Sequence, residues 1–415
     1  MTDQRAANAL WDVIVIGAGA AGLLAATRAA ERGKRTLLLE KNRKPGVKIL
    51  MSGGTRCNIT HATDNRGIVE AFGSQGRFLH SALAALSVEQ TVALFESEAV
   101  ATKVEETGKI FPVSNRAVDV LDALLRRLHR SGAHLSLSEP VVEIRRNESG
   151  FSLRTPIRTL AASRLILTSG GQSYPGSGTT GDGYRFARDF GHTIVTPRPA
   201  LVPLTVADAW VADLRGVTLP DVVVSILDDE KRIARRRGSL LFAHFGLSGP
   251  VVLDVSRVVS GHPNPQALTL EIDLLPDMHE QALEGFLRQQ SATSGKQLLA
   301  GVMAVHLPRR LAETILQLCG LPRDRRAAAL SKAERQQIVR NTKSLRLTVS
   351  GTMGFRKAEV TAGGIALDEL DSRTMASKLV PGLLIAGEVL DLDGPIGGYN
   401  FQSAFSTGWL AGSSV

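Results

Sequence analysis

The sequence is short of cysteine, of aromatic residues and of long apolar runs, and each shortage removes a class of function. Only Cys57 and Cys319 occur in 415 residues, so no disulfide framework, metal centre or C-x-x-C dithiol is expected. The longest apolar stretch, Val13 to Ala26, is broken by glycines and falls below the roughly 20 residues that cross a bilayer. No basic, then apolar leader opens the chain, so a cytoplasmic protein without a membrane partner is expected. Aromatic residues make up 5% of the chain and are missing from Arg288 to Gly354, which excludes base stacking from that stretch. What is present describes a folded protein: 43% hydrophobic and 21% charged residues, in a length that exceeds one core and predicts two or three domains.

Glycine is abundant, with 40 residues, and its placement is informative. Trp11 to Ile16 reads as a buried parallel strand that ends directly at Gly17-Ala18-Gly19-Ala20-Ala21-Gly22. Gly17 permits the tight turn, Gly19 the approach of a pyrophosphate, and Gly22 close packing of the next helix, with Ala21 also a candidate cofactor contact. Phosphate is favoured at that helix N-terminus by free N–H groups and by the dipole. A second strand, Thr36–Leu39, delivers Glu40, 23 positions after Gly17, a spacing suited to an adenosine ribose. Lys41 follows it.

Two further segments repeat the theme. Leu165–Thr168 is an apolar strand ending in Ser169-Gly170-Gly171, and Leu383–Ile385 is another, ending in Ala386-Gly387-Glu388, with Glu388 suited to a ribityl hydroxyl. After it, Gly394 to Asn400 leads into a helix expected over Phe401–Ala411, whose N-terminus, at Gly398, Tyr399, Asn400 and Phe401, would face the flavin pyrimidine. Three pieces in this order predict bound FAD, with Thr168, Gly170, Gly171 and Val142 among its contacts. Gly176–Gly181 also matches G-x-G-x-x-G, but Pro175 and a loop precede it rather than a strand, so a separate NAD(P) site there is not expected. Between the first two pieces, Lys48, Ser52, Gly53, Gly54, Arg56 and Asn58 are placed for pyrophosphate and flavin contact, Arg56 as a fork of donors. Cys57 is the candidate proton donor, its thiol open to acidification by Arg56 or to a packing role; His244 is the alternative, and Arg56 is the third catalytic candidate, to hold a substrate carbonyl as charge builds on it.

The expected organisation is an α/β, discontinuous Rossmann-like FAD domain of glutathione-reductase type, residues 1–195 and 353–415, interrupted by an insert. The insert divides into a barrel-like part, 196–275 completed by 341–352, and a helical basic part, 276–340. Strands are expected at Val222–Leu227, Leu240–Ala243, Val251–Val255, Leu268–Leu274 and Leu345–Val349. The net charge is +9, with ten Lys or Arg against three acids from Lys296 to Lys343. Arg309, Arg310, Arg323, Arg325 and Arg326 in that stretch, and Arg235, Arg236 and Arg237 in a shorter cluster, are candidates for RNA phosphates, against the alternative of a solvated face.

Gly17–Gly22, Ser52–Asn58, Gly170–Gly183, Leu241–Pro250, Val360–Gly364 and Gly387–Asn400 together resemble the BaiN/YhiN (RdsA)-type bacterial NAD(P)/FAD-dependent oxidoreductases, also labelled aminoacetone oxidase-like flavoproteins. The resemblance spans nearly the whole chain. Thr55 departs from it, standing where the family often has a third glycine. The resemblance implies reduction of an electron-poor C=C bond by hydride from flavin N5, with NAD(P)H as transient reductant. Implied substrates are a uridine of 23S rRNA, giving dihydrouridine, or a small molecule such as a steroid-like enone or aminoketone. The basic charge favours the polyanion. A non-catalytic, FAD-containing rRNA-binding factor is the reading from outside enzymology. The oligomeric state is not expressed in the sequence.

Overall fold

The structure, a computed structural model, describes residues 10–328 and 330–415. The chain divides into two compact units, Met1–Arg198 with Val360–Val415, and Pro199–Glu359.

The first unit is built on a nine-stranded sheet among the described residues. Its centre is β1 (Trp11–Ile16), followed by helix α1 (Ala20–Glu31) and β2 (Thr36–Leu39). β1 also pairs with β3 (Thr159–Leu167), which in turn pairs with β4 (Leu383–Ile385), all in parallel. These strands are apolar on both faces because both are covered, one by helix residues such as Leu23, Leu24 and Phe405 and the other in part by the meander residues Ile144, Phe151 and Leu153; Val13, Ile14, Leu38, Ile166 and Ile385 are fully buried. A meander of Glu143–Asn147 and Gly150–Arg154 joins through antiparallel pairing to β3. The C-terminal helix α2 (Tyr399–Ser413) packs on α1 through Gly408 and Gly412. A Cβ at either would lie 2.2 Å from the Ala21 carbonyl oxygen or 2.3 Å from that of Ala25, so only glycine allows the two backbones to come this close. The helix begins two residues before its expected start and ends two beyond its expected end. In the same unit, buried His192 bridges Glu369 and Ser377, 2.9 Å from each.

The second unit is a closed barrel of Leu204–Val206, Gly246–Ser248, Lys231–Ala243, Thr218–Asp228, Thr269–Asp273 and Leu345–Thr352, in that order. Helices Glu280–Thr293, Leu299–Met303, Arg309–Leu318 and Lys332–Lys343 contribute Leu287, Leu299, Leu311, Ile315 and Ile338 to the barrel's core. One expectation fails here. Val251–Val255 is not a strand but part of helix Pro250–Gly261. A short apolar run is ambiguous by periodicity alone, and Pro250 at the first helical position, where its missing N–H is no loss, starts a helix. Among the described residues, no single helix is long and apolar enough to cross a membrane, and no group of three or more His, Cys, Asp or Glu is placed to hold a metal ion.

Candidate functional site

Register brings the site together. Ile16 lies level with Leu39 and with Leu167, and Leu167 with Ile385. Four strands therefore end side by side, and Gly17, Glu40, Thr168 and Ala386-Gly387-Glu388 emerge at one carboxyl edge, where ligands of open parallel sheets bind.

The glycine turn is shaped by its neighbours. Gly17 has φ +100°. The Thr168 hydroxyl donates to the carbonyls of Ile16 (2.9 Å) and Gly17 (3.0 Å), locking the turn from the adjacent strand. A Cβ on Gly22 would sit 1.8 Å from the Gly17 carbonyl oxygen. Gly19 differs, because a Cβ there would meet nothing within 4 Å. No protein contact accounts for a glycine at 19. α1 has no side-chain cap at Gly19, so its first N–H groups are free for a ligand. Gly387 lies against the same turn, where a Cβ would be 2.7 Å from the Cβ of Ala21.

Glu40 is 7% exposed and accepts from the N–H groups of Ala18 and Asn42, both at 2.8 Å. Its carboxylate thus ties the glycine turn to the end of β2. Lys41 binds Thr180 and Asp182, and Asn42 donates to the Ser177 carbonyl. These contacts hold the Gly176–Gly181 loop against the 40–42 segment; the loop opens with a 3-10 turn at Pro175–Ser177 and no strand feeds it. Lys48 reaches Glu388 and Ser173, 2.6 Å from each, and Glu388 also accepts from the Ser173 hydroxyl (2.7 Å) and the Thr361 N–H (3.0 Å). The ribityl candidate Glu388 is therefore also the centre of a network that joins four distant segments.

The Ser52–Asn58 loop is left-handed through most of its length. Gly53, Gly54, Thr55 and Cys57 have φ of +56°, +66°, +69° and +60°. Thr55 thus adopts a conformation that glycine enters at no steric cost. Cys57 is 0% exposed, and burial pushes its thiol up to about 12. Acidification by Arg56 does not occur; the proton stays on sulfur. Arg56 turns away to Glu105 (2.7 Å) and lies 4.0 Å above the Phe111 ring. Asn58 Oδ1 and Ser169 Oγ, the latter just beyond β3, are buried without partners. A buried acceptor without a donor costs about 1–3 kcal/mol. Unsatisfied polar atoms, free helix amides and the open space at Gly19 fit a polar dinucleotide at this edge.

The remaining cofactor candidates fall into two groups. Gly170 (φ +73°) and Gly171 form the turn after Thr168, and a Cβ on Gly171 would meet Thr361 Oγ1 at 2.4 Å. Gly398 caps α2, and Asn400 holds the turn before it through the N–H and C=O of Gly394. Phe401 stacks on Phe405 in the core, and Val142 N–H donates to the Arg154 carbonyl. Tyr399 stacks on His61 with centroids 4.6 Å apart, and His61 Nδ1 lies 3.1 Å from the Gly397 carbonyl oxygen. Burial lowers the His61 pKa, favouring neutral imidazole. His61 and Gln402, whose buried amide links Thr60, Thr91 and Ser406, lie outside the sequence reading, and Ser173 and Thr361 entered it only within motifs of the resemblance, without a role. Their partners are up to 342 positions away, so no local pattern gives their contacts.

In the second unit, His244 is exposed at the turn between Lys231–Ala243 and Gly246–Ser248, beside the Phe245 ring. Arg235, Arg236 and Arg237 lie on the strand Lys231–Ala243. Arg237 is gripped by Asp221 and Asp277. In the helical part, Arg309 pairs with Glu313 and Arg325 with Glu334, Arg310 reaches the Asp213 and Arg215 carbonyls, Arg326 the Lys296 carbonyl, and Arg323 the Gln317 amide oxygen.

A family model described as "HI0933-like protein Rossmann domain" matches residues 11–414. A ribosomal RNA dihydrouridine synthase of Escherichia coli (strain K12) is 37% identical over 409 residues, covering 98% of each chain. A 3-dehydro-bile acid delta(4,6)-reductase of Clostridium scindens is 31% identical over 408 residues, covering 97% of this chain and 98% of that protein. The solved 3-ketosteroid-delta4-(5alpha)-dehydrogenase from Rhodococcus jostii RHA1 superposes with a TM-score of 0.51 at 15% identity, covering 97% of this chain and 96% of that one, a likeness of fold alone. With its glycine turn, Thr168 lock and C-terminal helix inside a match that runs from Trp11 to Ser414, the chain belongs to the HI0933-like family.

Proposed function

We propose that this FAD-dependent oxidoreductase reduces an electron-poor C=C bond, and that its substrate is a uridine of 23S rRNA, converted to dihydrouridine in the cytoplasm. The level ending of β1, β2, β3 and β4, which gathers Gly17, Glu40, Thr168 and Glu388 at one edge, is the observation that carries the cofactor. The 37% identity to the E. coli synthase over 98% of both chains and the basic charge support the RNA substrate.

Gly17, Gly19 and Gly22 would hold the pyrophosphate at the start of α1, Glu40 the adenosine ribose, and Lys48 with Glu388 the ribityl chain. Bound and reduced by NAD(P)H, FAD would supply the hydride for uracil C6, which leaves one proton for the protein to deliver at C5. Cys57 holds its proton on Sγ because burial disfavours the thiolate, so it can give the proton only to a strongly basic carbon. His244 is the alternative donor.

Mass spectrometry of rRNA nucleosides from a deletion strain tests the substrate. Loss of one dihydrouridine, restored by the wild-type gene, is expected; an unchanged nucleoside profile refutes it. The relative named as a bile acid reductase favours a second reading, a small enone, which predicts turnover insensitive to salt and no retention of RNA.

A further inference from the structure

One edge of the barrel strand Lys231–Ala243 is open. The strand pairs with Thr218–Asp228 from Lys231 to Leu241, but on its other side it meets Gly246–Ser248 only at Leu241, Phe242 and Ala243. From Lys231 to Ser239 that edge has no strand partner among the described residues. The start of helix Pro250–Gly261 lies against it at Gly238 and Ser239; from Lys231 to Arg237 the edge, lacking a neighbouring strand, can offer backbone N–H groups. The same stretch carries Lys231, Arg232, Arg235, Arg236 and Arg237, all exposed.

Internal pairing sorts these cations. Asp221 and Asp277 take Arg237, and the acidic turn before the strand is engaged elsewhere, Glu230 with Arg346 and Asp228 with His262 at 3.3 Å. Lys231, Arg232, Arg235 and Arg236 have no carboxylate within ion-pair distance among the described residues; Arg236 only donates to the Arg235 carbonyl. In the helical segment the arginines are mostly engaged, Arg309, Arg325 and Arg335 by carboxylates and Arg310 and Arg326 by carbonyls, while Lys296, Lys332 and Arg340 are spread along it without a carboxylate in ion-pair distance among the described residues.

Resting on the rRNA reading, we propose that Lys231, Arg232, Arg235 and Arg236 form the docking edge for the phosphodiester backbone of the substrate RNA, and that the more basic helical segment is not the anchor. Four unpaired cations along an edge of N–H donors complement a polyanion in charge and hydrogen-bonding sense.

The test uses the full FAD-loaded chain and a labelled single-stranded oligouridylate, titrated from about 50 to about 200 mM salt. Each lost phosphate contact lowers the slope of log K against log salt by about 0.7 for a single strand. An Arg235→Ala/Arg236→Ala variant is therefore expected to lose about 1.4 of slope, with an affinity loss about sevenfold greater at the low-salt end. Arg309→Ala/Arg326→Ala should keep the wild-type slope. A steep wild-type slope that the edge variant retains, or a slope loss confined to the helical variant, overturns the docking edge alone. Self-association of the edge variant with unchanged RNA affinity would assign the arginines to guarding the open edge and overturn it as well. A wild-type protein that binds without salt dependence overturns the RNA reading together with it.

Discussion

Gly19→Ala separates folding from cofactor binding. Gly19 has φ −82° and ψ −170°, which alanine adopts without strain, and its added Cβ would touch no protein atom within 4 Å. The loss of a glycine cap and the gain in backbone stiffness are each a few tenths to about 1 kcal/mol and oppose each other, so the apoprotein should melt as wild type does. The ligand is affected differently. A methyl group forced into the space of a close-packed pyrophosphate costs about 2 kcal/mol, or about 30-fold in Kd. At FAD about 100 times the wild-type Kd, ligand stabilisation should fall from about 2.7 to about 0.9 kcal/mol. Fluorescence titration of apoprotein with FAD, paired with thermal melts with and without FAD, measures both quantities. Gly22→Ala is the contrast: its Cβ lies 1.8 Å from the Gly17 carbonyl oxygen, so it should lower apoprotein stability as well. Wild-type FAD affinity in Gly19→Ala would refute the assignment of this turn to the pyrophosphate.

Thr55→Gly should stabilise the apoprotein by roughly 0.5–1 kcal/mol in thermal melts: relief of a β-branched residue at φ +69° exceeds the extra chain entropy of glycine. Thr55 is exposed, so little packing is lost, and an unchanged or lower Tm would contradict the strain. Cys57, with its thiol at about 12 against an ordinary 9.0, should resist iodoacetamide in the native protein up to pH 9, as read by peptide mapping. Because the folded pKa is the higher one, its contribution to stability is complete below about pH 9 and is lost as pH climbs through about 12; alkaline urea melts of wild type against Cys57→Ala measure the difference. Cys57→Ala that keeps FAD and full turnover would remove it as donor. Lys48→Met and Glu388→Gln should each weaken FAD binding, and their double-mutant cycle should show coupling of about 1 kcal/mol, since the pair meets at 2.6 Å while mostly shielded from solvent.

What the sequence determined by itself was the local chemistry. Strand, glycine turn, helix and acid follow one another from Trp11 to Glu40, and each step is set by neighbours a few residues apart, so the nucleotide fold and its first turn were legible without coordinates. The ends of β3 and β4 were legible for the same reason: apolar strands running into small residues. The apolar run Val251–Val255 misled, because five residues carry no period that separates helix from strand. Tertiary structure decided how the pieces are used. Arg56, read from its place beside the glycine pair and the first nucleotide turn as a ligand-facing cation, instead pairs with Glu105 in a distant hairpin, and burial, invisible in a string of letters, raises the thiol it was expected to acidify. Glu388 meets Lys48 across 340 positions, and the stacking of His61 on Tyr399 spans a similar distance. Which cations remain unpaired was likewise a matter of folding: most arginines of the helical segment bind its own carboxylates and carbonyls, while the edge strand pairs Arg237 and leaves Lys231, Arg232, Arg235 and Arg236 without a carboxylate. Covalent neighbours set backbone preference and burial pattern, whereas charge pairing and desolvation depend on which atoms the fold brings within a few ångströms of one another.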